Sequence, residues 1–471
     1  MMSLINMVRG LENDSPAKKL IHYWIHDADT LTFWRASSNF VYLFQMHGKP
    51  HFLRFIHEKD HSIEHIQAEL DFMWFLMDKG YPAAALVPSR NGKWIETVTT
   101  ENGNYHGVVF EQAKGVHIPL HQMSDLHYSH WGQSLAALHH LSESYRPIAA
   151  NAASPKSWKD ALDFVFSVLQ SHPQEIEALQ ECVRLKSLLS ELPSGAGQTG
   201  LIHYDFQPDN LFYMKEASRY SVIDFDDSMY HWLMMDITSA LSDLIEQNDA
   251  EAQKNIECFI SGYKSVKHLD IKYVELMPLF QRFSDLYTFA RLLRSMQNMD
   301  IPDLPEWVIQ LQHKLLRKCD QIRAGFQPLI VLRKITANDW FASTQLEVTN
   351  EQKAFFPVPI VYWLAESAYC NFIPLAIYAE EEQIGFAVYA VDPGDGNYWI
   401  MAFMIDKNFQ SKGFGRIAMN ALIRYIKTEH NCNKILLGHR PENERAANLY
   451  TSLGFMEIKR NDSEVIRQLF T

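Results

Sequence analysis

Near residues 324–328, Ala-Gly-Phe-Gln-Pro ends a long helical pattern, and a strand-first pattern begins at residues 330–335. That switch constrains the fold more than any other feature, because one continuous core rarely changes its periodicity so abruptly across a Gly/Pro turn. The chain has 471 residues, 47% of them hydrophobic, enough for two globular cores. We expect one domain over residues 1–326 and a second over 327–471.

The first domain opens with strand signals. Residues 40–46 and 52–57 alternate or run apolar around His47-Gly48-Lys49-Pro50, the pattern of a hairpin. Ile63, Ile66, Leu70, Met73, Trp74 and Met77 then fall at three- and four-residue steps before Gly80 and Pro82, which predicts an amphipathic helix. Residues 129–190 and 250–322 read mostly helical, and two short apolar strands flank Lys215 to Ser218. In the second domain the pattern predicts strands at 330–335, 374–380, 383–391 and 398–405, with helices near 337–347 and 358–369.

The formal charge of −13 argues against an extended nucleic-acid surface, which needs clustered Lys and Arg. The five cysteines are scattered without a close pair, so neither a disulfide framework nor a thiolate metal site is expected. Arg9, Glu12 and Asp14 interrupt the N-terminal apolar run, and no later segment is long and apolar enough to span a membrane. A cytoplasmic setting, with no nucleic-acid or membrane partner, is the expectation.

The most chemically loaded stretch is Leu201-Ile202-His203-Tyr204-Asp205-Phe206-Gln207-Pro208-Asp209-Asn210-Leu211, followed by Val222-Ile223-Asp224-Phe225-Asp226-Asp227. Phosphoryl transfer needs a carboxylate to accept a hydroxyl proton and oxygen ligands to hold magnesium on the ATP phosphates. Asp205 suits the first role, and Asn210 and Asp224 the second. Asp226 and Asp227 also have a plain reading as turn formers.

This stretch resembles the catalytic loop and metal-binding turn of aminoglycoside phosphotransferase-like kinases, a likeness that runs over roughly residues 25–320. The resemblance implies a two-lobed protein-kinase-like fold, ATP and Mg2+ as cofactors, and His203 as a buttress of the loop. It also implies an adenine-binding hinge at Val109-Phe110-Glu111-Gln112-Ala113 and a phosphate-covering loop at Ser37-Ser38-Asn39. Arg54 stands where such kinases carry an ATP-contacting lysine, with Glu69 as its ion-pair partner. Two positions depart from the family: Arg54 replaces the lysine, and Tyr204 replaces a glycine.

In the second domain, Gln410-Ser411-Lys412-Gly413-Phe414-Gly415-Arg416 joins a strand to a helix. Glycines let backbone approach a ligand, and the free amides of a first helical turn suit a pyrophosphate. Further on, Pro441-Glu442-Asn443-Glu444-Arg445-Ala446-Ala447-Asn448-Leu449-Tyr450 leads into Ser452-Leu453-Gly454-Phe455. Together these resemble the two signatures of the GNAT N-acetyltransferases, across essentially all of residues 329–471.

The resemblance implies acetyl-CoA as cofactor, with its pantetheine arm on the backbone of Phe403, Met404 and Ile405 and its pyrophosphate on residues 411–416. It implies cofactor contact by Asn443 and a general-acid role for Tyr450; alone, Asn443 also reads as a helix cap. Residues 346–352, Asp392-Pro393 and Tyr398-Trp399-Ile400 are similar to bacterial spermine/spermidine acetyltransferases. Met401 stands where some of these carry a glutamate, which leaves Glu347, Glu351 and Asp395 as candidate amine-binding or proton-relay groups.

The expected fold class is therefore α/β and α+β: a kinase-like domain followed by a GNAT mixed sheet. The expected function is a bifunctional enzyme that phosphorylates a small hydroxylated molecule and acetylates a small, polyamine-like amine. Two alternatives stand beside it: an acetyltransferase with a non-catalytic nucleotide-binding module, and an aminoglycoside-modifying enzyme. A homodimer is an option that the GNAT resemblance brings with it.

Overall fold

The computed structural model describes all residues except 148–154, 196, 300–303, 327–329, 380, 395, 412 and 471. The chain divides by compactness into Met1–Val168 with Leu189–Ile322, and Leu169–Leu188 with Arg323–Thr471. The expected start of the second domain, residue 327, lies outside the described residues.

In the first unit an antiparallel sheet has the order Thr32–Ala36, Phe40–Met46, Lys49–His57, Gly103–Glu111, Leu86–Val87, with Glu96–Thr100 also on Gly103–Glu111. The hairpin turns on two residues only: Met46 pairs with Lys49, and His47 (φ 52°) and Gly48 (φ 70°) both take the left-handed conformation a tight primed turn requires. Period-two alternation buries Phe40, Tyr42 and Phe44 on one face, where Phe40 stacks on Phe55 at 4.8 Å.

Helix Ile63–Asp78 starts where the Ser62 hydroxyl accepts the His65 amide and buries Ile66, Leu70 and Met73 as expected. It also buries Phe72 and Leu76, whereas Trp74 is exposed and meets Trp94 edge-on at 4.7 Å. The buried face is thus wider than the sequence stripe and rotated away from Trp74.

The larger lobe is helical. Helices Asp125–Ser142 and Ala250–Val266 cross so closely that a Cβ on Gly132 would sit 2.0 Å from the Phe259 carbonyl, and one on Gly262 2.0 Å from that of Ser129. Strands Leu211–Met214 and Arg219–Val222 form the expected hairpin. A second pair, Thr199–Ile202 with Met229–Trp232, flanks the segment of residues 203–228; at four residues each, these strands are too short to carry a periodic signal.

The second unit holds a seven-stranded sheet in the order Ile330–Lys334, Phe372–Ala379, Glu382–Val391, Tyr398–Ile405, Lys434–His439, Val465–Phe470, Met456–Arg460. One pairing is parallel, Tyr398–Ile405 with Lys434–His439, and helix Phe414–His430 supplies the crossover it needs. Ala418, Leu422 and Ile426 of that helix pack on Leu375, Ile377 and Leu437 of the sheet. The expected helices near 337–347 and 358–369 are shorter, Trp340–Thr344 and Ile360–Ser367.

Candidate active sites

In the first unit, strand Thr199–Ile202 delivers the chain to Tyr204, whose φ of 72° is a conformation a bulky residue holds only under external constraint. The constraint is Asp236. Its fully buried carboxylate accepts the amides of His203 (2.8 Å) and Tyr204 (2.9 Å) and pairs with His139 Nε2 at 3.0 Å. The Ser239 hydroxyl donates to the Tyr204 carbonyl. Sequence reading missed Asp236, which lies in an apolar helical run with no motif spacing to single it out. His203 Nε2 lies 3.0 Å from the Ile223 carbonyl and so ties the segment of Tyr204 and Asp205 to the turn that carries Asp224.

Asn210 donates through Nδ2 to Asp205 Oδ2 (2.8 Å) and to the Asp205 carbonyl (3.0 Å). Burial, reinforced by Asp227 and Asp226, pushes the Asp205 carboxyl up to about 6. Because Asn210 commits its NH2 group to Asp205, its carbonyl oxygen is the end left to act as a ligand. Among the described residues no three His, Cys, Asp or Glu side chains form a self-sufficient metal cage. Asn210 and Asp224 each offer oxygen of the kind a hard divalent cation takes, and such a cation can complete its shell with phosphate oxygens and waters, although both Asp224 oxygens here face guanidinium groups.

Arg54, on the central strand, forks onto Glu69 of helix Ile63–Asp78 at 2.8 and 2.5 Å, both side chains buried. Its NH1 also lies 3.4 Å from Asp224 Oδ1, while Arg35 NH2 lies 3.2 Å from Asp224 Oδ2. Arg35 carried no motif signal and was not singled out from sequence. Arg35, Arg54 and Asp224 line a cleft of about 530 Å3 that also presents hinge residues Phe110 to Ala113 and loop residues Ser37 and Asn39, whereas Glu69, Asp205 and Asn210 are not among its lining residues. The Asn39 amide is committed to Asp226 at 2.7 Å. Asp227 is more than a turn former: it pairs with Arg291 at 2.8 Å.

In the second unit a cleft follows from a change in strand pairing. Strand Tyr398–Ile405 pairs with Glu382–Val391 through Ile405, but with Lys434–His439 only over Tyr398 to Ile400. At the splay the register skips Met401, a bulge opposite Val388 and Tyr389. Phe403, Met404 and Ile405 therefore present a backbone edge that Lys434–His439 does not cover, and they line a cleft of about 360 Å3. Gln410, Ser411, Gly413, Gly415, Arg416, Asn443 and Tyr450 line the same cleft.

Gly413 (φ 88°) is the N-cap of helix Phe414–His430 and turns that helix's first amides toward the loop. The Gln410 amide donates to the Ile405 carbonyl (2.8 Å) and pairs reciprocally with Gln352. The Phe414 ring packs against the core, and Lys412 lies outside the described residues. Asn443 does cap helix Glu444–Ser452, its carbonyl oxygen accepting from the Ala446 amide at 3.1 Å, which leaves its NH2 group as a donor.

Tyr450 sits on that helix beside His439 (ring centroids 5.7 Å) and Phe455 (6.0 Å), and burial pushes its phenol up to about 12. Of the candidate carboxylates, Glu347 pairs with Lys407 at 2.6 Å and neither it nor Glu351 lines the cleft. Asp395 lies outside the described residues. His439 lines the cleft with both ring nitrogens engaged, Nδ1 by the Arg440 carbonyl and Nε2 by Arg467 Nε, each at 2.9 Å.

Residues 30–263 match the model of the phosphotransferase enzyme family, and residues 335–455 that of the acetyltransferase (GNAT) family. Amicoumacin kinase of Bacillus subtilis (strain 168) is 24% identical over 272 residues, covering 56% of this chain and 80% of the relative. Spermine/spermidine N(1)-acetyltransferase of the same organism is 29% identical over 147 residues, covering 29% of this chain and 96% of the relative. A solved amicoumacin kinase in complex with AMP-PNP and Ca2+ shares the fold at 22% identity and a TM-score of 0.55, over 65% of this chain and 92% of that one. No helix among the described residues is long and apolar enough to cross a membrane. The protein is thus a transferase in which a phosphotransferase-family domain is joined to a GNAT acetyltransferase domain.

Proposed function

We propose that the chain is bifunctional: its N-terminal unit phosphorylates a hydroxyl of a small molecule with ATP and magnesium, and its C-terminal unit acetylates a primary amine of a small, polyamine-like molecule. The observation that carries the reading is the convergence of Tyr450, the Phe403 to Ile405 edge and the Gly413 turn on one cleft.

Acetyl-CoA, when bound, supplies the activated acyl group. The backbone edge of residues 403–405 would hold its pantetheine arm, and the Gly413 turn would take its pyrophosphate through free amides. The Tyr450 phenol, protonated at neutral pH, donates its proton to the departing thiolate.

In the N-terminal unit, Asp205 accepts the proton of the acceptor hydroxyl and Asn210 fixes its orientation. Asn210 and Asp224 would hold magnesium, which supplies neutralisation of phosphate charge, and Arg54 presents its guanidinium to the cleft from the Glu69 fork.

The relatives' names specify amicoumacin and homoserine for the kinases, and spermine and spermidine for the acetyltransferases, so these are the first acceptors to assay. We expect CoA release with spermine or spermidine that drops on Tyr450→Phe, and phosphate transfer to a hydroxylated acceptor that is lost on Asp205→Ala. CoA release from aminoglycosides alone would replace the polyamine assignment with a drug-modifying one; no turnover of any amine would overturn it. Arg54 in the lysine position favours a second reading, a nucleotide-binding module without turnover. MgATP binding with no phosphate transfer to any acceptor would select it.

A further inference from the structure

Both oxygens of the candidate metal ligand Asp224 are engaged by guanidinium groups: Oδ1 by Arg54 at 3.4 Å and Oδ2 by Arg35 at 3.2 Å. The two arginines are held very differently. Arg54 is clamped by both oxygens of Glu69, with its side chain only 10% exposed. Arg35 stands on the outer strand Thr32–Ala36 with its side chain 42% exposed, and among the described residues its ion pair is with Asp224. Both line the cleft that also presents Ser37, Asn39 and the hinge.

A divalent cation on Asp224 needs one of those oxygens and repels a guanidinium at the same distance. One arginine must let go, and the Glu69 clamp decides which: Arg54 is tethered, Arg35 is free to swing. A guanidinium released at the mouth of a nucleotide cleft finds its best new partner in a phosphate, whose oxygens match its paired N–H donors.

We propose that Arg35 is a phosphate-binding residue that exchanges Asp224 for the polyphosphate of an incoming nucleotide. Without nucleotide it neutralises Asp224; with metal and nucleotide it moves to phosphate oxygens, so that Asp224 and the phosphates each keep a cationic partner. Arg35 thereby performs from the edge strand a task that Arg54, clamped by Glu69, cannot change position to perform. The inference rests on the phosphotransferase reading of the N-terminal unit.

The test is calorimetric binding by the full chain of adenosine, metal-free ATP, MgATP and Mg2+ alone, for wild type, Arg35→Gln and Arg35→Lys. Arg35→Gln should weaken ATP and MgATP about tenfold, the equivalent of one charge-assisted contact. It should leave adenosine unchanged and bind Mg2+ alone more tightly than wild type, since its rival for Asp224 is gone; Arg35→Lys should regain part of the ATP affinity. Equal weakening of adenosine and ATP would make Arg35 structural and overturn the proposal. So would unchanged MgATP affinity in Arg35→Gln beside a wild type that binds it, an outcome that leaves the phosphotransferase reading standing. A wild type that binds no nucleotide overturns that reading and the role of Arg35 with it.

Discussion

Asn210 holds the Asp205 carboxylate through a 2.8 Å hydrogen bond from its side-chain amide. With its side-chain NH2 group committed to Asp205, Asn210 keeps only its carbonyl oxygen for another partner, so under the proposed phosphotransferase reading one contact would serve both the proton acceptor and the metal ligand. Replacing the carboxylate should remove proton acceptance without disturbing nucleotide binding. We expect Asp205→Ala to slow phosphate transfer about 10²–10⁴-fold. MgATP affinity should stay close to wild type, as measured by single-turnover kinetics alongside calorimetry.

The Arg54–Glu69 fork is buried, and a buried cation without its partner is costly. Glu69→Leu should destabilise the N-terminal unit by about 3–5 kcal/mol in urea denaturation. The double variant Arg54→Met/Glu69→Leu should lose less than Glu69→Leu alone, because it removes the buried guanidinium that Glu69 neutralised while Asp224 keeps Arg35 as a partner. A double variant less stable than the single one would show that Asp224 depends on Arg54 more than Arg54 depends on Glu69.

His231 is fully enclosed, its Nδ1 accepting from the Trp232 amide and its Nε2 without a partner among the described residues, and burial lowers its pKa to about 3. An unfolded chain protonates this ring near 6.5, so the folded state is fully favoured above that pH and loses stability as pH falls toward 3. Between about pH 8 and about pH 5 this one ring should cost the N-terminal unit about 2 kcal/mol. His231→Phe should flatten that part of the pH dependence of urea unfolding.

Burial keeps the Tyr450 phenol protonated well beyond neutral pH. The acetyl-transfer rate should therefore show no decline attributable to its ionisation from about pH 7 to about pH 10. Tyr450→Phe should lower kcat on the order of 10²-fold or more and move KM for acetyl-CoA little, in steady-state CoA-release assays.

Gly132 lies where a methyl group would meet the Phe259 carbonyl at 2.0 Å, and that carbonyl is backbone of a long helix. Gly132→Ala should cost about 1–3 kcal/mol or more by prising apart helices Asp125–Ser142 and Ala250–Val266. Thermal unfolding of the N-terminal unit should report it, while acetyl transfer by the C-terminal unit stays unchanged.

The sequence by itself determined whatever depends on near neighbours along the chain. The Asp205 to Asn210 spacing, the Gln410 to Gly415 loop, the hairpin at His47-Gly48 and the buried stripe of helix Phe414–His430 are local, because turn chemistry and side-chain periodicity are written within a few residues. Tertiary structure decided what needs residues far apart in sequence to meet. Asp236 clamps the His203 and Tyr204 amides from 31 residues beyond Asp205, and Arg35 reaches Asp224 across 189 positions. The outward turn of Trp74 was equally hidden, since a helix's face is chosen by what packs on it rather than by its own spacing. So was the cleft beside Phe403 to Ile405: its edge exists because Tyr398–Ile405 parts from Lys434–His439 after Ile400, next to a bulge at Met401 that no single strand records.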